Sequence, residues 1–108
     1  MYADQRQYEV YGYIGDSIAY QFSHCVDERH DEEMIEQVRE LQAPNHETPT
    51  DCLCYADIFY CDAQDVILVG TWVTHSGEAI WHAGGWNERP KASKENALRF
   101  LYGLNRPA

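Results

Sequence analysis

The chain has 108 residues, with eight Lys and Arg against 18 Asp and Glu, a formal charge of −10. That length suits one domain, residues 1–108, large enough to bury a core without disulfides or a structural metal. Three Trp, eight Tyr and three Phe exclude a disordered chain; no apolar run reaches the roughly 18 residues of a membrane span, and Met1-Tyr2-Ala3-Asp4-Gln5-Arg6-Gln7 lacks the apolar stretch of a signal peptide, so the expectation is an acidic cytoplasmic protein.

Residues 7–24 alternate as a β-hairpin does. Tyr8, Val10, Gly12 and Ile14 share one parity, and Glu9, Tyr11 and Tyr13 the other. Gly15-Asp16 suits a two-residue turn with glycine first, and Ile18, Tyr20 and Phe22 continue the period. A helix capped by Asp16 and carrying Ile18, Phe22 and Val26 competes with this reading; Tyr, Ile and Phe favour the strand. Residues 29–42 predict a helix, with Met34, Ile35, Val38 and Leu41 at helical spacing and Glu32, Glu33, Glu36 and Glu40 on the opposite side. Pro44-Asn45 stops it, and residues 43–51 read as a polar loop.

Residues 52–83 predict a three-stranded antiparallel meander: Leu53–Cys61, a turn at 62–65, Val66–His75, a tight turn at Ser76-Gly77, and Glu78–Ala83. Gly84-Gly85 ends the pattern. Ser93 can cap a final helix over 94–103, with Ala97, Leu98, Leu101 and Leu104 on its apolar side. The fold class is therefore α+β: an antiparallel sheet, made of an N-terminal hairpin plus the meander, with two helices packed on one face.

The turns predict which side chains share a face. A two-residue turn at 76–77 pairs His75 with Glu78, Thr74 with Ala79, Val73 with Ile80, Trp72 with Trp81 and Thr71 with His82. A four-residue turn at 62–65 pairs Cys61 with Val66, Phe59 with Leu68 and Tyr55 with Trp72. One face then carries Ile58, Tyr60, Ile67, Val69, Val73 and Ile80, and the other carries Tyr55, Phe59, Leu68, Trp72 and Trp81. The aliphatic face is the better seat for two helices. The aromatic face is expected to be the less covered side and a surface for either a homodimer or a partner protein; the alternative is that Tyr11, Tyr20 or Phe22 of the hairpin folds over it and makes the Trp pair an ordinary second core.

Charge is uneven. Residues 1–26 carry −2, residues 27–51 carry −7, residues 52–88 carry −5, and residues 89–108 carry +4. An acidic body disfavours direct nucleic-acid binding and favours a basic protein surface. The chemistry-bearing residues point to no reaction. Cys25, Cys52, Cys54 and Cys61 lack the paired spacing of a zinc site and read as reduced, packed thiols; no metal or cofactor is expected. His24, His30, His46, His75 and His82 include one hairpin group, Thr71, His75, Glu78 and His82, that reads as a solvated surface rather than a catalytic site, since no paired carboxylates, nucleophile elbow or phosphate loop accompanies it. No catalytic residues are assigned.

The order helix–strand–strand–strand–helix over 29–103 resembles that of double-stranded-RNA-binding domains, and Lys91 and Lys94 precede the last helix where that family places phosphate-contacting lysines. The first helix, by which that family contacts RNA, is acidic here and would repel it, so the resemblance implies shape and no function. The strongest functional candidate is the acidic ridge of Asp31, Glu32, Glu33, Glu36 and Glu40, joined by Asp27 and Glu28. Carboxylates along a helix imitate a row of phosphates, and Tyr55, Phe59, Trp72 and Trp81 could supply a desolvated anchor beside them. The expected function is a small non-enzymatic inhibitor of a nucleic-acid-processing protein with a basic cleft, the class that includes anti-CRISPR, anti-restriction and toxin-immunity proteins. The rival is a small His/Cys-dependent enzyme or metal-binding domain.

Overall fold

The computed structural model describes residues 6–42, 53–63, 65–75, 78–88 and 93–95. In chain order they form β1 (Arg6–Ile14), β2 (Ser17–Val26), α1 (Asp31–Gln42), β3 (Cys54–Cys61), β4 (Val66–His75) and β5 (Glu78–Ala83). The strands make one antiparallel sheet in the order β2-β1-β3-β4-β5. Because β1 is antiparallel to both its neighbours, β2 and β3 run the same way, and α1 is the crossover between them. No helix among the described residues is long and apolar enough to cross a membrane.

The N-terminal hairpin forms as its alternation predicts, and residues 17–26 are strand rather than helix. Gly15 takes a φ of 59°, the left-handed value that the first position of a II′ turn requires. At the 62–65 turn, the Asp62 N–H donates to the Asp65 carbonyl at 2.9 Å and the Asp65 N–H to Asp62 Oδ1 at 2.8 Å. The β4/β5 pairs are the predicted ones, from His75 with Glu78 to Thr71 with His82, although Ser76 and Gly77 lie outside the described residues.

The faces are not as predicted, and the reason is one residue. Phe59 pairs with Leu68 as expected, but Ile58 pairs with Gly70, so Val69 is an extra residue in β4. A one-residue slip turns every following side chain to the other face. Tyr55 therefore pairs with Val73 and not with Trp72, which pairs with Ala56. The corrected helix side holds Tyr8, Val10, Ala56, Ile58, Tyr60, Trp72, Met34 and Val38 in one buried cluster, with Trp81 and Val69 against it. Val73 joins Tyr13 and Tyr55 on the opposite face, and Phe59 packs there with Cys61.

The Trp pair is thus core on the covered side rather than part of a less covered surface, and Tyr20 and Phe22 of the hairpin pack against the same cluster, as the alternative expects. Trp72 is 6% exposed, and its indole N–H donates to the Ile35 carbonyl of α1 at 2.8 Å. Trp81 lies 5.4 Å from it, centroid to centroid, and its ring covers Gly70, where any Cβ would collide with it. The same arrangement recurs at the second slip, where Ala19 is the extra residue and the Tyr20 ring covers Gly12.

In α1, Met34 and Val38 are buried as predicted, but Leu41 is exposed and Gln42 takes the inward place. The Tyr20 hydroxyl donates to Gln42 Oε1 and the Thr74 hydroxyl to the Gln42 carbonyl, at 2.7 and 2.8 Å. Met34, Val38 and Gln42 form an i, i+4, i+8 row, and Leu41 falls on its flank. Of the predicted second helix, only its start is described: Ser93–Glu95 is helical, and Ser93 lies against the face opposite α1. The described residues thus give an antiparallel sheet with one helix, α1, on one face and do not bear out a second helix beside it; residues 96–103 lie outside the described part.

This face assignment is testable by stability. Trp72→Ala should cost about 3–5 kcal/mol, as for a buried aromatic. Ile80→Ala, at a position 52% exposed, should cost less than about 1 kcal/mol. Urea denaturation of both variants checks the pair; the unslipped register expects a buried Ile80 under the helices and a Trp72 on the less covered side.

Candidate functional site

The acidic helix face starts from a clamp. The Tyr8 hydroxyl of β1 accepts the His30 N–H at 2.7 Å and donates to Asp31 Oδ1 at 2.7 Å. Arg29 grips the same carboxylate with two nitrogens, Nε at 2.9 Å and Nη2 at 2.7 Å. Its guanidinium stands 5.0 Å over the Tyr60 ring, which itself packs 5.1 Å from the Tyr8 ring. The Arg29 bonds, and then Tyr8, hold the Asp31 carboxyl below its ordinary range despite its partial burial. Burial and the bond to Asp31 push the Tyr8 phenol up. Asp31 also sits in the first turn, where a carboxylate meets the positive end of the helix dipole.

The clamp separates Asp31 from the rest of the predicted ridge. Asp31 is half-buried and spent on structure, and it takes up the charge of Arg29. Glu32, Glu33, Glu36 and Glu40 are all exposed. Glu36 has a long contact to Arg39 at 3.4 Å between two exposed side chains, worth little in water. Glu32, Glu33 and Glu40 have no ion-pair partner among the described residues. Arg29, His30, Asp31, Glu32 and Glu33 line an open hollow at the helix start. Nothing in the residue types foretold the clamp, because Tyr8 and Asp31 are brought together only by the hairpin and the crossover.

The structure does not bring the predicted aromatic residues to this ridge as a surface. Tyr55, Phe59 and Trp72 are buried, Trp81 is half-buried, and Tyr55 and Phe59 lie on the other face of the sheet.

That other face holds a polar group that sequence reading passed over. Asp57 of β3 is fully buried; Thr71 Oγ1 donates to its Oδ1 at 2.8 Å and Ser93 Oγ to its Oδ2 at 2.5 Å. The Trp86 N–H in turn donates to Thr71 Oγ1 at 3.3 Å, and the Trp86 ring lies 6.4 Å from the Tyr55 ring and 5.9 Å from His82. The set ties the segment after β5 onto the sheet. A single acid inside the apolar run Tyr55–Cys61 was the available signal, and Thr71 is its register partner. Ser93, read as a helix cap, spends its hydroxyl here.

Cys54 and Cys61 are buried and Cys25 is exposed, none of the three in a disulfide. Burial, with Glu9 and Asp62 nearby, pushes the Cys61 thiol up to about 12, so it stays protonated and unreactive at neutral pH. On the same face, burial and Glu9 push the Tyr11 phenol up to about 12. His75 and His82 stand at the predicted register positions opposite Glu78 and Thr71, and Thr71 is already bonded to Asp57. Among the described residues no three His, Cys, Asp or Glu side chains group as metal ligands. Cys52 and His46 lie outside the described residues. No family model matches this sequence, and comparison with curated proteins and with solved structures finds no similar protein.

Two outcomes follow from the bonds. A carboxyl held low in the folded state contributes stability that is complete above the ordinary carboxylate range and is lost as pH falls through its folded value. Wild type should therefore lose more stability than Asp31→Asn between about pH 6 and pH 2; the difference should stay near or below about 1 kcal/mol, because the Arg29 side chain is 43% exposed. Unfolding curves at stepped pH measure it. Ser93→Ala should cost about 1–3 kcal/mol by leaving one oxygen of buried Asp57 short of a donor, read by thermal and urea denaturation.

Proposed function

We propose that the protein is a non-enzymatic binder that covers a basic surface of another protein with the exposed carboxylates of α1. The observation that carries the reading is the exposed row Glu32, Glu33, Glu36 and Glu40, of which Glu36 alone has a long contact to Arg39, on a helix whose opposite side is anchored through Trp72, Met34 and Val38. A rigid support matters, because charges held in place lose less entropy on docking than charges on a mobile loop.

The spacing supports a phosphate-like role. At about 1.5 Å per residue, Glu32 to Glu40 spans about 12 Å, so its four carboxylates fall on average about 4 Å apart along the axis. A nucleic-acid strand carries one phosphate per about 3.4 Å. A groove of Lys and Arg shaped for such a strand would meet a similar charge density on this helix. Residues 27–42 hold seven acids against two arginines, and the clamp occupies Arg29 with Asp31. The target class is then a nucleic-acid-processing protein, and the consequence of binding is inhibition by occupying its cleft. The anchor envisaged from the aromatic residues is dropped from this reading, since they are core. Exposed Leu41, on the flank of the same helix, is the apolar side chain available beside the carboxylates.

The experiment is capture from a source-cell lysate on immobilised protein, elution with salt, and kinetics on the captured partner. Association should slow at least tenfold from low to physiological salt, and Glu32→Lys/Glu36→Lys/Glu40→Lys should slow it by a comparable factor with the fold intact by circular dichroism. An on-rate unchanged in the triple variant removes the ridge from the interaction.

A further inference from the structure

We infer that β2 is a self-pairing edge and that two copies of the chain join there into one continuous ten-stranded antiparallel sheet. The surface is separate from the acidic face of α1 and does not depend on the role proposed for it.

The inference starts from what is missing on the strand. β2 is the outermost strand, and its ten residues Ser17–Val26 include no Asp, Glu, Lys, Arg or Pro. In a chain with 26 charged residues and four prolines, that is the longer of the two sheet edges among the described residues and the one without charge or proline. Soluble proteins blunt such edges with charge, proline, short length or cover, because the outward N–H and C=O groups template another strand. The opposite edge follows that practice: β5 has six residues and opens with exposed Glu78. On β2, Ile18, Ala19, Gln21, Ser23, His24 and Cys25 are all exposed.

The geometry then selects a second copy as the occupant. The extra residue Ala19 disturbs the first third of the strand, and Tyr20–Val26 is regular. A two-fold axis gives a closed antiparallel pair in which the same surface meets itself. The longest overlap of a seven-residue regular stretch with its own copy is centred on its midpoint, Ser23. Ser23 then faces Ser23 of the second copy, Gln21 faces Cys25, Phe22 faces His24 and Tyr20 faces Val26. No like charges oppose each other, and one side gains aromatic and β-branched cross-strand neighbours.

Net charge does not forbid it. Glu32, Glu33, Glu36 and Glu40 are exposed on the outer side of α1, whose inner side packs chiefly on β3 and β4 and reaches β2 through the Tyr20–Gln42 hydrogen bond. From β3 of one copy to β3 of the other there are five strand spacings, about 24 Å. That is about three Debye lengths at physiological ionic strength, so the helices barely sense one another.

Because Ser23 sits on the axis, the test is a charge swap. Sedimentation velocity from about 1 to 100 µM should show wild type as a dimer at the upper end. Ser23→Lys alone and Ser23→Asp alone should each weaken self-association at least tenfold, by opposing like charges across the axis; both also remove the hydroxyl that donates to Glu9 Oε1 at 2.6 Å, so circular dichroism and unfolding curves are taken on each to show that the monomer stays folded. An equimolar mixture of the two should regain the dimer, and Ile80→Lys on β5 should leave it unchanged. A wild type that stays monomeric at 100 µM overturns the inference, as do single Ser23 variants that remain as dimeric as wild type. A mixture that fails to recover overturns the axis at Ser23.

Discussion

The architecture depends on one extra residue in β4. Without the slip at Val69, Trp72 would stand opposite Tyr55, and α1 would face Val73 and Ile80. With it, two indoles turn toward the helix, one donating to the Ile35 carbonyl and one seated over Gly70. The same slip sends Thr71 to the other side, directly opposite Asp57. Each face thereby acquires its own fastening. The helix side is held by apolar burial with one indole hydrogen bond across it. The far side is held by a buried carboxylate that gathers hydroxyls from β4 and from the segment beyond β5. A bulge is a local defect in pairing, yet here it decides the chemistry of both surfaces.

Much of this was legible where local chemistry sets the structure. Gly15-Asp16 dictates a turn, and counting from Ser76-Gly77 in the sequence gives the β4/β5 register that is observed. Met34 and Val38 mark the buried side of α1 by spacing. What stayed hidden is set by pairing at a distance. A slip has no residue of its own, but both slips lie beside a strand glycine, Gly70 and Gly12, and glycine inside a strand is a recognised sign of a bulge or a close approach. Read that way, Gly70 would have moved Trp72 to the correct face. Asp57 had a plainer signal, a carboxylate amid Tyr55, Ile58 and Phe59, which can be buried only with donors supplied. The clamp of Tyr8, Arg29 and Asp31 had none, since its members are meaningful only once the crossover brings them together.

The two edges of the sheet show how the same chain handles exposure differently. β5 is short and opens on a carboxylate; β2 is long and has no Asp, Glu, Lys or Arg in a chain of net charge −10. The net negative charge, concentrated in α1 and the loops, keeps copies apart in most orientations. It leaves one orientation, edge to edge, in which backbone pairing is unopposed. Acidity and self-pairing are thus compatible in the proposed dimer because the exposed carboxylates of α1 lie over a face of the sheet and not along its β2 edge.

The acidic helix itself is unfavourable in isolation. Twelve residues are short for a stable helix in water, and Glu32 with Glu36, and Glu36 with Glu40, are like-charge neighbours at i, i+4. Each such pair destabilises by about 0.2–0.5 kcal/mol, where a Lys at Glu36 would convert both into attractions. The helix persists because tertiary contacts exceed that cost: Trp72 and the buried row on its inner side, and the Tyr8–Asp31–Arg29 clamp at its start. The clamp is also what frees the ridge. By placing Arg29 on Asp31 and over Tyr60, it keeps a cation from folding back onto Glu32 and Glu33. A surface that repels itself in the free protein gains twice when a cationic surface arrives, once from the new attraction and once from relief of its own repulsion. This is the physical reason to read the ridge as half of an interface rather than as a solvated face.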